Sequence, residues 1–244
     1  MISSIYNTLF YGPLYNALIF LTAIIPGHDL GLAVVLLTVI VKLVLAPISH
    51  KTIQTQKKMK ELEPSMSKIK EDHKADKQEQ AMKIMELYRE HNINPFSGVF
   101  LMFIQLPIIL ALFFVFKDGI DLSSVYIYDF VIKPPFIGTK LFGLLALGGK
   151  SIFLAVIVGL TQFIQTHLSL PPSPTGDKKS SEESFGDNLA KSMNFQIKFI
   201  LPIFIAFVSY SLNTAVSVYW IVNNIFTIIH EFYVRKMAGK IISN

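Results

Sequence analysis

Apolar and polar positions in this chain fall into long blocks. Five apolar blocks stand out, at residues 30–48, 96–116, 151–170, 199–212 and 214–229. A helix crossing the hydrocarbon of a bilayer takes about 20 residues, fewer where the bilayer is thin. The last two blocks meet at Asn213. Joined into one helix they would overshoot a bilayer by several turns. Lys and Arg resolve the choice: ten lie in 50–95, four in 171–198 and three in 231–244, against Lys117, Lys133, Lys140 and Lys150 in the intervening segments. Cytoplasmic loops carry the excess of basic residues. The tail bearing Arg235, Lys236 and Lys240 therefore needs two crossings after Lys198. The pattern predicts an all-α polytopic membrane protein with spans at 29–49, 96–117, 151–170, 199–212 and 213–230, an outer loop at 118–150, a cytoplasmic linker at 171–198 and a cytoplasmic tail at 231–244.

Residues 1–28 are apolar but broken by Ser3, Ser4, Asn7, Gly12, Pro13 and Asn16, with Tyr6, Tyr11 and Tyr15 among them. Tyrosine favours the membrane–water boundary. An amphipathic helix on the outer face is expected, with the amino terminus outside; a sixth span is the alternative. No Lys or Arg follows Met1 closely, so neither a cleavable signal nor a transit peptide is expected.

The segment 50–95 has a helical period. Met59, Leu62, Met66 and Ile69 recur at three- and four-residue spacing, as do Ala81, Met85 and Tyr88 beyond the polar break "EDHKAD". This predicts an antiparallel cytoplasmic hairpin, with Pro64 kinking its first arm. Met59, Met66, Met82 and Met85 serve either as seam packing or as an adaptable apolar surface for varied partners. Residues 171–188 have the Pro, Ser and charge content of a linker, and "LFGLLALGG" at 141–149 is read as lying along the outer surface.

Composition agrees: 52% of the residues are apolar and only 16% charged. The net charge of +5 is divided among loops, which fits membrane orientation and not nucleic-acid binding. Without cysteine, disulfides and thiolate chemistry are excluded. No phosphate-binding glycine loop or nucleophile elbow occurs, and His28, His50, His73, His91, His167 and His230 lack metal-ligand spacing. No catalytic residue, metal or cofactor is expected, and the chain is not read as an enzyme. A small transporter or channel subunit is the alternative, although no internal repeat is visible and five spans do not halve.

Each span carries polar residues: Lys42 in the first, Gln105 in the second, Thr161, Gln162 and Gln165 in the third, and Ser209, Tyr210, Ser217, Asn223 and Asn224 in the last two. An ammonium in hydrocarbon costs about 2.5 kcal/mol or more. No Asp or Glu lies in a proposed span to neutralise Lys42, and snorkelling past Ile48 would be strained. The reading preferred is a cation facing an aqueous cavity open to the cytoplasm.

Three stretches carry a resemblance. "LYNALIFLTAIIPGHDLGLAVVLLTVIVKLVLAPI" resembles the first core span of YidC-type membrane protein insertases. "YREHNINPFSGVFLMFIQLPIILALFFVF" is similar to the family's second, at Asn94-Pro95 and Gln105-Leu106-Pro107-Ile108. "NTAVSVYWIVNNIFTIIHEF" is similar to its last, with Tyr219 and Trp220. The resemblance implies a five-helix core with a hydrophilic groove open to lipid and cytoplasm and closed outside, and a hairpin that helps capture clients. Lys42 falls where most members carry Arg. The implied groove residues are Lys42, Gln105, Gln162, Gln165, Tyr219, Trp220, Asn223 and Asn224. The implied partners are nascent membrane proteins and the lipid bilayer of the bacterial cytoplasmic membrane, with a ribosome and a Sec channel as candidates. The large outer domain of Gram-negative members and a long basic tail are not expected, the latter arguing against strong tail-based ribosome docking.

Overall fold

The computed structural model of the protein describes residues 5–94, 97–169, 192 and 194–241. Most of the expected linker at 171–198 lies outside the described residues, as does Pro95 of the Asn94-Pro95 pair. The architecture is all-α. After a π-helical turn at Asn7–Tyr11 come α1 (Gly12–Ile24), α2 (Leu30–Glu61), α3 (Glu63–Asp72), α4 (Lys77–Glu90) and α5 (Ser97–Asp118). A two-stranded ribbon, β1 (Lys140–Leu141) and β2 (Leu145–Ala146), precedes α6 (Ile152–Ser169), α7 (Leu201–Ser211, led by a π turn at Gln196–Ile200) and α8 (Thr214–Ile241). Leu30–Glu61 and Ile152–Ser169 are long and apolar enough to cross a membrane, and Phe103–Lys117 and Gln196–Ser211 are shorter apolar helices.

Gly27 and His28, both at positive φ, turn the chain out of α1. Asp29 then caps α2, its Oδ1 accepting from the Leu32 amide at 3.0 Å. Its 32 residues extend about 48 Å. Where the pattern of polarity places a boundary near residue 49, this helix runs on to Glu61. The stretch from Ser49 to Glu61 contains neither Gly nor Pro, so a change from apolar to polar residues alters the surroundings without breaking the hydrogen-bond ladder. The break comes at Leu62, and Pro64 sits in the first turn of α3, where its missing N–H is not needed. The predicted kink within one arm is thus a junction between two helices.

Asp76 caps α4, accepting from the amides of Gln78 and Glu79 at 2.9 and 3.0 Å. The α3–α4 seam buries Met66, Tyr88 and Ile93, with Met59, Leu62, Ile84 and Leu87 packed against them. Tyr88 donates to the Met66 sulfur at 3.0 Å. On α4 the seam runs through Ile84, Leu87 and Tyr88, one step around from the expected Ala81 and Met85.

The remaining helices bundle with α8 at the centre, packed mainly against α2 and α6, while α7 packs on α6. The main core joins Leu14, Tyr15, Leu18 and Ile19 of α1, Leu30, Ala33, Val34 and Leu37 of α2, Ile108, Ala111, Leu112 and Val115 of α5, and Ala215, Val218 and Tyr219 of α8. These positions lie at the end of the bundle where 119–150 connects, here the loop end; the opposite one is the hairpin end.

The segment 119–150 is tied into this core. Asn16, 3% exposed, donates to the carbonyls of Gly12 and Tyr126 at 2.8 and 2.7 Å and accepts from the Tyr128 amide at 2.8 Å. Tyr15 donates to the Asp121 carbonyl and accepts from its amide. Asp29 accepts from the Phe142 amide at 2.6 Å, and Gly31 lets the ribbon approach so closely that a Cβ there would stand 2.6 Å from Leu141 Cβ. Leu147 is buried in the core, and Thr214 seals the far edge by donating to Gly149 through both its amide and its hydroxyl.

Asn16→Leu strands the Tyr126 carbonyl and the Tyr128 amide. A loss of about 2–4 kcal/mol is expected, read as a lowered thermal midpoint of the purified protein in detergent.

Candidate functional site

Most polar residues of the spans gather toward the hairpin end, beyond the apolar core, whereas Ser209 and Ser217 bond each other at 2.8 Å beside that core. α8 organises them. Asn223, Thr227, Glu231 and Arg235 fall four residues apart, and such a stripe drifts about 40° around the helix per step. Its start therefore faces α2 and its end faces α6.

On the first side, the half-buried Lys42 of α2 donates from Nζ to Thr227 Oγ1 at 3.1 Å, and Thr227 donates to the Asn223 carbonyl at 2.8 Å. Asn223 Nδ2 donates to Asn224 Oδ1 at 3.3 Å, and Asn224, buried, donates to Thr161 Oγ1 of α6 at 3.2 Å. Lys42, Asn223 and Asn224 thus belong to one polar path across three helices. Among the described residues no carboxylate pairs with Lys42, and Asn223 Oδ1 is shielded from solvent without a donor. A buried acceptor left bare costs about 1–3 kcal/mol.

On the second side, Gln162 and Gln165 of α6 form a path of their own. Gln162 Nε2 donates to Gln165 Oε1 at 2.9 Å and to Thr166 Oγ1 at 3.2 Å, and Gln165 Nε2 donates to Ser169 Oγ at 3.1 Å. Ser169 donates to Glu231 Oε2 at 2.6 Å. Glu231 is 1% exposed and accepts on Oε1 from Arg235 Nη2 at 2.6 Å and Nε at 3.1 Å. Arg235 also donates to the Leu168 carbonyl.

The other expected groove residues stand apart. Gln105 of α5 donates to the hydroxyl of Tyr219, which is buried in the core. Trp220, one residue on, lies about 100° around the helix and is buried with Val158 and Val216 against Ile205, Val208 and Leu212. Among the methionines, Met66 is buried in the hairpin seam and Met59 is partly buried, whereas Met82 and Met85 are 61% and 39% exposed. No group of three or more metal-ligating side chains occurs among the described residues.

A model of the 60Kd inner membrane protein family matches residues 20–240. The chain belongs to that family. Its similar relatives include proteins named membrane protein insertase YidC. Those from two subspecies of Francisella tularensis, novicida and holarctica, are each 29% identical over 210 residues, and one from Francisella philomiragia is 28% identical. In each case the match covers 84% of this chain and 32% of the relative. The chain thus spans about a third of the length of these relatives.

Within this family member, sequence reasoning missed Thr227, Thr166, Ser169, Glu231 and Arg235. Glu231 and Arg235 lie past the end of the apolar block at 229, in the stretch whose composition reads as a cytoplasmic tail. The signal that could have found them is the four-residue spacing that continues Asn223 and Thr227, with Glu preceding Arg by one turn.

Arg235→Ala leaves the Glu231 carboxylate buried without its cation. Destabilisation of about 3 kcal/mol is expected. The double change Glu231→Gln with Arg235→Gln should recover most of it, measured by thermal unfolding in detergent.

Proposed function

We propose that the protein is a membrane protein insertase of the bacterial cytoplasmic membrane that works without nucleotide hydrolysis. In this reading five helices span the bilayer: α2, α5, α6, the α7 segment with its leading π turn, and α8. The hairpin end faces the cytoplasm, where the basic residues concentrate, and the loop end faces outward. The observation that carries the reading is the division of the bundle along its axis. The loop half is an apolar core sealed by 119–150, while the hairpin half holds Lys42, the Gln162–Gln165 pair and the Asn223–Asn224 pair. The names borne by the relatives support the same function.

A client helix arrives with a short polar tail that must cross. Partway in, side chains and water replace the tail's hydration, so it is never bare in hydrocarbon. Lys42 attracts acidic residues of the tail. The membrane potential, positive outside, draws each negative charge onward by about 2.3 kcal/mol per 100 mV. The apolar segment then partitions into lipid, the downhill step. The short α7 segment thins the bilayer locally and shortens the path. Nascent membrane proteins are the partners, delivered by a ribosome or shared with a Sec channel, and Met82 and Met85 present the exposed apolar surface that first meets them.

In cells depending on this protein, Lys42→Arg should retain insertion of single-span clients with acidic tails and Lys42→Glu should abolish it. Lys42→Ala should slow it by about five-fold, the measure of one screened charge pair. Wild-type insertion by Lys42→Ala sinks the cationic role. For the hairpin, Met82→Ser with Met85→Ser should reduce photocrosslinks between hairpin and client at unchanged thermal stability. Met66→Ser, by contrast, should loosen the hairpin itself, seen as faster amide exchange in α3 and α4.

A further inference from the structure

Along α6 one chain of side-chain bonds runs in a single direction and ends on α8. Gln162 donates to Gln165, Gln165 to Ser169, and Ser169 to Glu231. The terminus fixes that direction, because an ionised carboxylate only accepts. Arg235 occupies one carboxylate oxygen, Oε1, through Nη2 and Nε, and leaves Oε2 to Ser169. With its single proton committed to Glu231, Ser169 takes the NH₂ of Gln165. Gln165 therefore turns its carbonyl back toward Gln162 and holds that NH₂ in turn. Gln162 is left presenting a carbonyl oxygen that receives no donor among the described residues. A glutamine amide without such a terminus flips readily and offers donor and acceptor alike.

We propose that Glu231 is a positioning residue that, through Ser169 and Gln165, fixes Gln162 as a hydrogen-bond acceptor for the backbone N–H groups of a client's polar tail. The inference rests on the insertase reading above and deepens it. Lys42, on the α2 side of α8, is a donor for carboxylates and carbonyls, so acceptor and donor are presented on different faces of that helix. An extended tail carries a backbone N–H on every residue other than proline, so a fixed acceptor engages it without selecting a sequence.

The test uses the full-length protein in proteoliposomes and a single-span client with a short acidic tail, reading the initial rate of tail protection from external protease against client concentration. Ser169→Ala cuts the relay and leaves the Glu231–Arg235 pair in place. It should raise the half-saturating client concentration about five-fold, one net hydrogen bond's worth, with the thermal midpoint near that of wild type. Ser169→Thr, which keeps the hydroxyl, should restore the wild-type value. Gln165→Met, cutting the relay at its middle, should reproduce Ser169→Ala. If Ser169→Ala and Gln165→Met saturate like wild type, or only lower the thermal midpoint, Glu231 is structural and the inference falls. If the wild-type protein protects no client tail, the insertase reading fails and takes the inference with it.

Discussion

The need to partner every polar group held among apolar helices governs this structure, and α8 is where it is met. A lysine, four amides and an ion pair lie around one helix packed between α2 and α6. Each of the two polar paths runs through side chains of α8, and the hydroxyls of Thr227 and Ser169 are the joints. Remove the stripe, and the two neighbouring helices would have polar faces with nothing to bond. Packing of α8 at the centre of the bundle follows from its polar residues as much as from its apolar ones.

The loop end answers the same constraint differently. There the few buried polar side chains, Asn16, Thr22, Thr38 and the Ser209–Ser217 pair among them, bond locally or to one another, and the remaining polar groups are backbone ones at chain turns. Asn16, Tyr15 and Asp29 each satisfy two or more of them. Because those bonds are directional, they fix the position of 119–150 more tightly than its apolar content would.

Much of the fold was legible because apolar block length and basic-residue placement are both set by the solvent around a helix. That logic placed the helices at 97–118, 152–169, 201–211 and from 214 onward, and it singled out Lys42. It misjudged the continuity of Leu30–Glu61, since a helix passing from one solvent into another keeps its hydrogen bonds while its composition changes. In the hairpin seam Met66 and Tyr88 stand as expected, while on α4 Ile84 and Leu87 take the places of Ala81 and Met85. At the site, residue type identified Gln162, Gln165, Asn223 and Asn224, but pairing could not be read from type. Tyr219 and Trp220, adjacent in sequence, pack into different clusters on α8, and Glu231 was hidden by its charge in what looked like a tail.

The bonds at the loop end join residues far apart in the chain: Tyr15 with Asp121, Asn16 with Tyr126 and Tyr128, Phe116 with Asn213, and Gly149 with Thr214. A chain is synthesised from its amino terminus, so the seal cannot be completed until Thr214 and Ala215 have been made. Until then the loop end lacks the bonds that Asn213 and Thr214 make to Phe116 and Gly149. The order of synthesis thus places closure of the loop end ahead of the two polar paths, which wait for residues 223–235 of the same helix.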